Sequence, residues 1–167
     1  SIFINEEDTK VFDPEFCFYG PMGYDIGNVI ANMIFAWANG DAAGAEDFCK
    51  WVESVLVDVV NMTKEKMEKY YDEHVTDTMC KNALYKKYYM DTIIEDTSAV
   101  TGLELIRRIV GMANVKDITT IADEAKRARA EKICITAAID FIKNRNDKKC
   151  GKCFLRTLKD AIAEIDA

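Results

Sequence analysis

Apolar residues change their spacing once along this chain, which divides it into a short extended part and a long helical part. Two short apolar runs, residues 1–4 and 10–12, flank the turn-forming residues 5–8, a pattern that predicts a small β-hairpin. Because a two-stranded hairpin is marginally stable by itself, we expect it to lean on the helices.

From Ile26 onward, apolar residues recur every three or four positions, which is the period of an amphipathic helix. The spacing predicts helices over about residues 26–38, 48–71, 80–94, 102–112, 120–142 and 154–165. The pair Asn39-Gly40 ends the first helix, and Thr120-Ile-Ala-Asp123 is typical of a capping box that opens the fifth. The expected fold is therefore mainly α with a short N-terminal β-hairpin, in a single unit over residues 1–167.

The composition is that of a globular chain and excludes several classes of partner. The 167 residues are 49% hydrophobic and 31% charged, with a net charge of -7. An acidic chain predicts no nucleic-acid partner, and the lysine pairs at residues 86–87 and 148–149 are interpreted as solvated faces. No apolar run reaches the ~18 residues of a membrane span, and residues 1–8 lack a secretory signal's basic region, so we expect no membrane partner and a cytoplasmic location.

Six cysteines are spread through the chain, most of them at helical spacing among apolar residues, as reduced core cysteines are. Cys150 and Cys153 form a C-x-x-C pair, but no second pair of zinc ligands is near and no βαβ context surrounds it. We therefore interpret this pair as structural or incidental rather than as a metal or redox site.

The residues with the clearest candidate chemistry lie near the start of the chain. Asp13 and Glu15 flank Pro14, which favours extended geometry at Asp13, so the two carboxylates can point to one side. Such a pair suits Mg²⁺, although two exposed acids at a turn are the more common explanation of the spacing alone. Asp25 precedes the first helical core residue, where capping the helix is the ordinary role.

The run "DPEFCFYGPMGYDIG", residues 13–27, resembles the segment after the catalytic loop of 5-methylthioribose kinases, small-molecule kinases of the protein-kinase-like and aminoglycoside-phosphotransferase-like fold. The resemblance implies that Asp13 and Glu15, in an Asp-x-Glu motif, bind Mg²⁺-ATP, and that Asp25 supports the catalytic loop. It also divides the chain into residues 1–27, the hairpin and metal-binding segment, and residues 28–167, the helical part of a carboxy-terminal lobe.

A second run, "LIRRIVGMANVKDI" at residues 105–118, is similar to the twin-arginine helix of that family. The resemblance implies that Arg107 and Arg108 contact the sugar substrate. Adjacent helical residues diverge by about 100°, so one arginine can face a site while the other braces it or meets solvent. Apart from the resemblance, a surface or salt-bridged pair is the more common explanation of two adjacent arginines. Arginine suits hydroxyl-rich and phosphate ligands because its donors form a planar fork.

Phosphoryl transfer in kinase-like folds also needs a glycine-rich loop and a catalytic aspartate, and neither is present in these 167 residues. By resemblance, the catalytic loop falls just before Ser1, and His74 is expected to be a surface residue. We therefore expect a carboxy-terminal fragment of an ATP-dependent kinase of methionine salvage, inactive alone. Its exposed apolar face would favour either self-association into a homo-oligomer or low stability. Two alternatives are a non-catalytic helical interaction module from a decayed kinase and a kinase lobe for another small hydroxyl compound.

Overall fold

The computed structural model describes residues 2–13 and 17–167, and it confirms a mainly helical chain with a short hairpin. Strands β1 (Ile2–Ile4) and β2 (Thr9–Val11) pair antiparallel, with Ile2 opposite Val11. The helices are α1 (Gly23–Ala43), α2 (Glu46–His74), α3 (Ala83–Ile109), α4 (Lys116–Thr119), α5 (Glu124–Lys143) and α6 (Gly151–Asp166), and a single 3₁₀ turn (Arg145–Asp147) precedes α6.

The core lies where α1, α3 and α5 pack side by side, with α2 and α6 closing it on the outside. Its largest fully buried side chains include Phe35, Leu56, Leu105, Phe141 and Phe154, one from each of the five long helices. Each long helix therefore contributes an apolar stripe to one shared core.

The hairpin does not lean on the helices as predicted, since residues 3–13 are all exposed. Phe3 and Phe12 instead stack on each other, with ring centroids 4.4 Å apart. Ile4 and Val11 keep 75% and 79% of their surface exposed. The hairpin thus presents apolar side chains on both of its faces to its surroundings.

The predicted end of the first helix at Asn39-Gly40 is wrong, because α1 continues to Ala43 and ends at Gly44, which has a φ of 75°. A Cβ at Gly40 would lie 2.7 Å from the ring of Phe48, and Asn39 donates a hydrogen bond to the backbone oxygen of Asp117. Gly40 is therefore a close-packing residue inside the helix, and Gly44 provides the left-handed C-terminal residue.

The third and fourth predicted helices are one continuous helix, α3. Three polar residues between them are buried and bonded: Thr97 and Thr101 donate to carbonyl oxygens one turn back, and Ser98 donates to the Phe141 oxygen at 2.8 Å. Hydroxyl groups satisfied in this way cost little inside a helix, so the polar stretch crosses the core without a break.

The capping box predicted at residues 120–123 is also wrong, although the helix that follows is confirmed. Asp123 is the N-cap of α5 and accepts hydrogen bonds from the backbone N–H groups of Ala125 and Lys126. Thr120 instead ends the short helix α4 and donates to the Lys116 oxygen at 2.7 Å. The short α4 has no clear apolar period, so the sequence pattern does not predict it.

Lys148 is buried rather than solvated, which corrects the interpretation of that lysine pair. Its ammonium bonds to the Asp140 carboxylate, which also accepts from Thr157 at 2.6 Å. A buried charge is tolerated here because it is paired and hydrogen-bonded. In the part of the chain that the structure describes, no helix combines the length and the apolar character that crossing a membrane requires.

Candidate functional site

Asp13 lies two residues after β2, where the chain leaves the hairpin, and its side chain is exposed. Its φ is 65°, in the left-handed region, and not the extended geometry expected before a proline. Aspartate is one of the few residue types that tolerate this conformation. The strand-alternation argument for two carboxylates on one side therefore does not hold at Asp13.

Glu15 lies outside the described residues, so its predicted pairing with Asp13 stays a prediction. Over residues 2–13 and 17–167, no group of three or more acidic, histidine or cysteine side chains could hold a metal ion. Within the same ranges, no hydrogen bond or ion pair engages the Asp13 carboxylate. The donor chemistry at Asp13 suits Mg²⁺, which often takes only one or two protein carboxylates and completes its shell with water and phosphate oxygens.

Asp25 lies in the first turn of α1 and is exposed. The N-cap of α1 is Met22, which makes no side-chain capping bond, so the ordinary capping role is not seen at Asp25. Its negative charge is nonetheless favourable near the positive end of the helix. Gly23 fixes this helix end against α3, because a Cβ there would lie 2.4 Å from the Thr97 nitrogen.

Arg107 and Arg108 lie in the last turn of α3, and both side chains turn back to the same carboxylate, that of Glu104. Arg107 donates through Nε to Oε2 at 2.7 Å and through a terminal nitrogen to Oε1 at 3.0 Å. Arg108 donates through Nε to Oε1 at 2.8 Å and through its terminal nitrogen to the Ala113 oxygen at 3.2 Å. One acid three and four residues earlier therefore holds both arginines together, because those positions share a helix face.

Burial and hydrogen bonding shift the pKa of Glu104 in opposite directions, and the side chain is only 5% exposed. Burial alone would raise the pKa of this carboxyl, but the hydrogen bonds from Arg107 and Arg108 outweigh it and hold the pKa below its usual range. The same bond to Glu104 raises the pKa of Arg107, with a smaller contribution from the nearby phenol of Tyr24. Glu104 is therefore ionised at neutral pH and neutralises part of the twin positive charge.

The two arginines differ in how much of their surface is open. The Arg107 side chain is 55% exposed, whereas that of Arg108 is 32% exposed and also bonds the loop after α3. Arg107 keeps one terminal nitrogen free of the Glu104 carboxylate. The geometry thus makes Arg107 the residue able to meet a ligand and Arg108 the residue that braces the loop.

The motif reasoning did not identify Glu104, although a signal for it exists. An acidic residue three positions before one arginine and four before the next is the spacing of helical ion pairs. Its burial on the core side of α3 could not be read from that spacing alone.

An open cavity of about 540 Å³ lies between the end of α2 and the start of α3. Its lining is rich in aromatic and sulfur side chains and includes Met22, Tyr71, His74, Tyr85 and Tyr89. The Tyr89 hydroxyl lies 2.9 Å from the Met22 sulfur, which joins this wall to the segment before α1. His74 is exposed and stacks on Tyr70 at 5.5 Å, as expected for a surface residue.

Several curated proteins that are similar to this chain are kinases, that is, phosphotransferases. They are methylthioribose kinases: Methylthioribose kinase 1 of Oryza sativa subsp. japonica is 34% identical over 87% of this chain, and Methylthioribose kinase of Bacillus pumilus is 33% identical over 98% of it. That of Escherichia coli O45:K1 is 29% identical over 89% of the chain. These matches confirm the resemblance drawn from residues 13–27 and 105–118.

The chain spans 37% to 41% of the length of these relatives. This share fits the expectation that it corresponds to the carboxy-terminal part of such a kinase. No protein-family model matches the chain.

Proposed function

We propose that this chain is the carboxy-terminal lobe of an ATP-dependent 5-methylthioribose kinase with a protein-kinase-like fold. The complete enzyme would transfer the γ-phosphoryl group of ATP to the 1-hydroxyl of the sugar, a step of methionine salvage. Similarity to methylthioribose kinases along nearly the whole chain supports the family part of this proposal. The observation that carries the site is the exposed guanidinium of Arg107, held by Glu104 at the end of α3.

In this proposal Arg107 binds the hydroxyl groups of the sugar, and Arg108 is a positioning residue. The bidentate bond to Glu104 fixes the plane of the Arg107 guanidinium before the ligand arrives, which lowers the entropy lost on binding. Arg108 donates one hydrogen bond to the Glu104 carboxylate and one to the Ala113 oxygen, and so links the loop after α3 to the same carboxylate.

Asp13 and Glu15 would hold Mg²⁺ together with the phosphates of ATP. The metal, when bound, neutralises negative charge that develops on the phosphoryl group during transfer. The exposed Asp13 carboxylate at the end of the hairpin supports this role. Asp25, exposed at the start of α1, would support the catalytic loop through its backbone rather than take part in the chemistry.

The 167 residues alone are expected not to phosphorylate the sugar. Kinase-like catalysis depends on positioning and electrostatic stabilisation by parts that include a glycine-rich loop and a catalytic aspartate. Neither part occurs in this sequence. Turnover by the isolated chain that survives repurification and disappears in Asp13→Ala would contradict this expectation.

The decisive test uses the genomic sequence that precedes the codon for Ser1. A polypeptide that adds any upstream open reading frame to this chain is assayed for ADP formation dependent on methylthioribose. We expect Asp13→Ala to abolish turnover and Arg107→Ala to raise KM for the sugar at least tenfold, with a smaller change in Arg108→Ala. A substitution at the exposed Glu65 serves as the control, and its kinetics should match those of the unaltered polypeptide.

Two outcomes would reject the proposal. A stop codon directly upstream would favour the non-catalytic helical module. Activity on another sugar or an amino alcohol, without activity on methylthioribose, would keep the kinase lobe and replace the substrate.

A further inference from the structure

Cys150 and Cys153 are brought together at the start of α6, with their sulfur atoms 3.4 Å apart. Cys150 is the extended N-cap residue, and its backbone oxygen accepts from the Cys153 N–H at 2.9 Å. Both side chains are partly exposed, so a small reagent can reach them. We propose that these two residues form a redox-active dithiol that small disulfides convert reversibly into an intramolecular disulfide.

Contacts with α2 and α3 hold the backbone on either side of Cys150 in place. The Gly151 N–H donates to the Asn61 side chain at 2.9 Å, and a Cβ at Gly151 would lie 2.2 Å from the Val57 oxygen. On the other side, the Lys149 ammonium bonds the Glu95 carboxylate at 2.7 Å. Because α2 and α3 fix the residues on either side of Cys150, its sulfur stays against Cys153, and a small side-chain rotation can bring the pair to the ~2.05 Å of an S–S bond.

Cys153 has the surroundings of the attacking thiol. Partial burial raises its pKa, but backbone hydrogen bonds at Lys149 and Cys150, the contact with the Cys150 thiol and the nearby Arg156 outweigh this effect and lower the pKa overall. Backbone donors and positive charge at a helix N-terminus stabilise a thiolate. Cys150, in contact with that sulfur, then serves as the resolving thiol.

The described part of the chain also contains less reactive cysteines for comparison. Cys134 is fully buried, and burial raises the pKa of its thiol to about 12. Cys49 is buried as well, and its pKa is raised by burial and by nearby carboxylates including that of Asp41. Cys17 is exposed but has no second cysteine beside it in the sequence.

The proposed step is a thiol–disulfide exchange with a small linear disulfide such as oxidised glutathione. The Cys153 thiolate attacks one sulfur of the reagent, forms a mixed disulfide and releases one thiolate. The Cys150 thiol loses its proton and attacks the Cys153 sulfur, which forms the internal bond and releases the second thiol. Two protein thiols are oxidised, and one disulfide is reduced to two small thiols.

The test is equilibration of the complete, reduced chain in glutathione buffers of increasing oxidised fraction, followed by acid quenching and alkylation. Trypsin cuts after Lys152, so the predicted disulfide joins peptides 150–152 and 153–156, which mass spectrometry identifies. We expect these linked peptides to accumulate at oxidised fractions that leave Cys17 reduced.

Two serine variants separate the roles of the thiols. Cys150→Ser should accumulate a stable glutathione adduct on Cys153, because the resolving thiol is gone. In Cys153→Ser, the remaining Cys150 should react with oxidised glutathione several-fold more slowly than Cys153 does in Cys150→Ser. Cys80→Ser, at a partly exposed cysteine outside the pair, is the matched control and should still form the linked peptides.

Absence of the linked peptides at every glutathione ratio would overturn the proposal. So would oxidation of Cys17 at the same glutathione ratios that produce the linked peptides in the unaltered chain, or equal rates in the two serine variants. Each measurement on the unaltered chain stands even if a variant folds poorly.

Discussion

At the scale of single residues, Glu104 decides the geometry of the candidate sugar site. It is one of the few buried charged side chains among the described residues, and it accepts three hydrogen bonds from two arginines. Two guanidinium groups next to each other repel, and a shared carboxylate removes much of that repulsion. The loss of this one acid would therefore disturb both arginines.

We expect Glu104→Gln to lower the free energy of unfolding by about 1 to 3 kcal/mol at pH 7, because charge-assisted hydrogen bonds become neutral ones. Urea unfolding followed by circular dichroism measures the change. Glu65→Gln, at an exposed position of α2, is the control and should change stability by less than about 0.5 kcal/mol. Equal stability of the two variants would show that the Glu104 bonds contribute nothing net.

The same carboxylate predicts a pH dependence. The pKa of Glu104 in the folded chain lies below its ordinary value of 4.5, so the folded state holds its proton less tightly than the unfolded state. The contribution of ionised Glu104 to the free energy of unfolding is complete above pH 4.5. It is lost as the pH falls through the pKa of Glu104 in the folded chain. The difference between the unaltered chain and Glu104→Gln should therefore shrink in urea titrations below that pH. A difference that grew on acidification would contradict the ion-pair account.

At the scale of elements, the crossing of α1 and α3 depends on two glycines. Gly23 and Gly27 face α3, and a Cβ at Gly27 would lie 2.7 Å from the Val100 Cβ and 2.8 Å from the Thr97 oxygen. The Thr101 hydroxyl also reaches the Gly27 oxygen, at 3.3 Å. This close approach positions the start of α1, with Asp25, relative to the helix that carries the arginines.

We expect Gly27→Ala to destabilise the chain by about 1 to 3 kcal/mol through overpacking, although alanine favours an isolated helix by about 1 kcal/mol. Asn32→Ala, at an exposed position of the same helix, is the matched control and should be neutral or slightly stabilising. Thermal unfolding of both variants gives the comparison. A stabilised Gly27→Ala would mean that the two helices separate without cost.

At the scale of the whole molecule, the hairpin is the element that exposes apolar side chains on both of its faces. Ile4 and Val11 lie on one face of the hairpin, because Val11 pairs with Ile2 and alternate residues share a face. Both are more than 70% exposed, and Phe3 and Phe12 stack on the other side. Apolar surface of this kind favours association, in keeping with the expected homo-oligomer.

We expect light scattering to show a mass that rises with concentration, and the double variant Ile4→Lys, Val11→Lys to reduce that rise. The control variant Asn32→Lys, Ser54→Lys adds the same charges at exposed positions of α1 and α2 and should not reduce it. A constant monomer mass for the unaltered chain at high concentration would refute the prediction.

The sequence alone determined the kinds of elements and their approximate places. Hairpin and helices follow from local periodicity and turn residues, and the residues 13–27 and 105–118 carried the resemblance that the relatives confirm. Local patterns suffice for these features because neighbouring residues fix them. The prediction of two helices in place of α3 was wrong because the hydroxyl groups in the polar stretch are hydrogen-bonded one turn back and across the core.

Only the tertiary structure decided which side chains meet. It turned Arg107 and Arg108 to a single buried carboxylate, placed Gly40 against Phe48, and buried Lys148 beside Asp140. Each of these outcomes depends on burial and direction, which spacing along the chain does not specify. The chemistry available to this protein was therefore present in its sequence, whereas packing decided which of those groups remain free to bind a ligand.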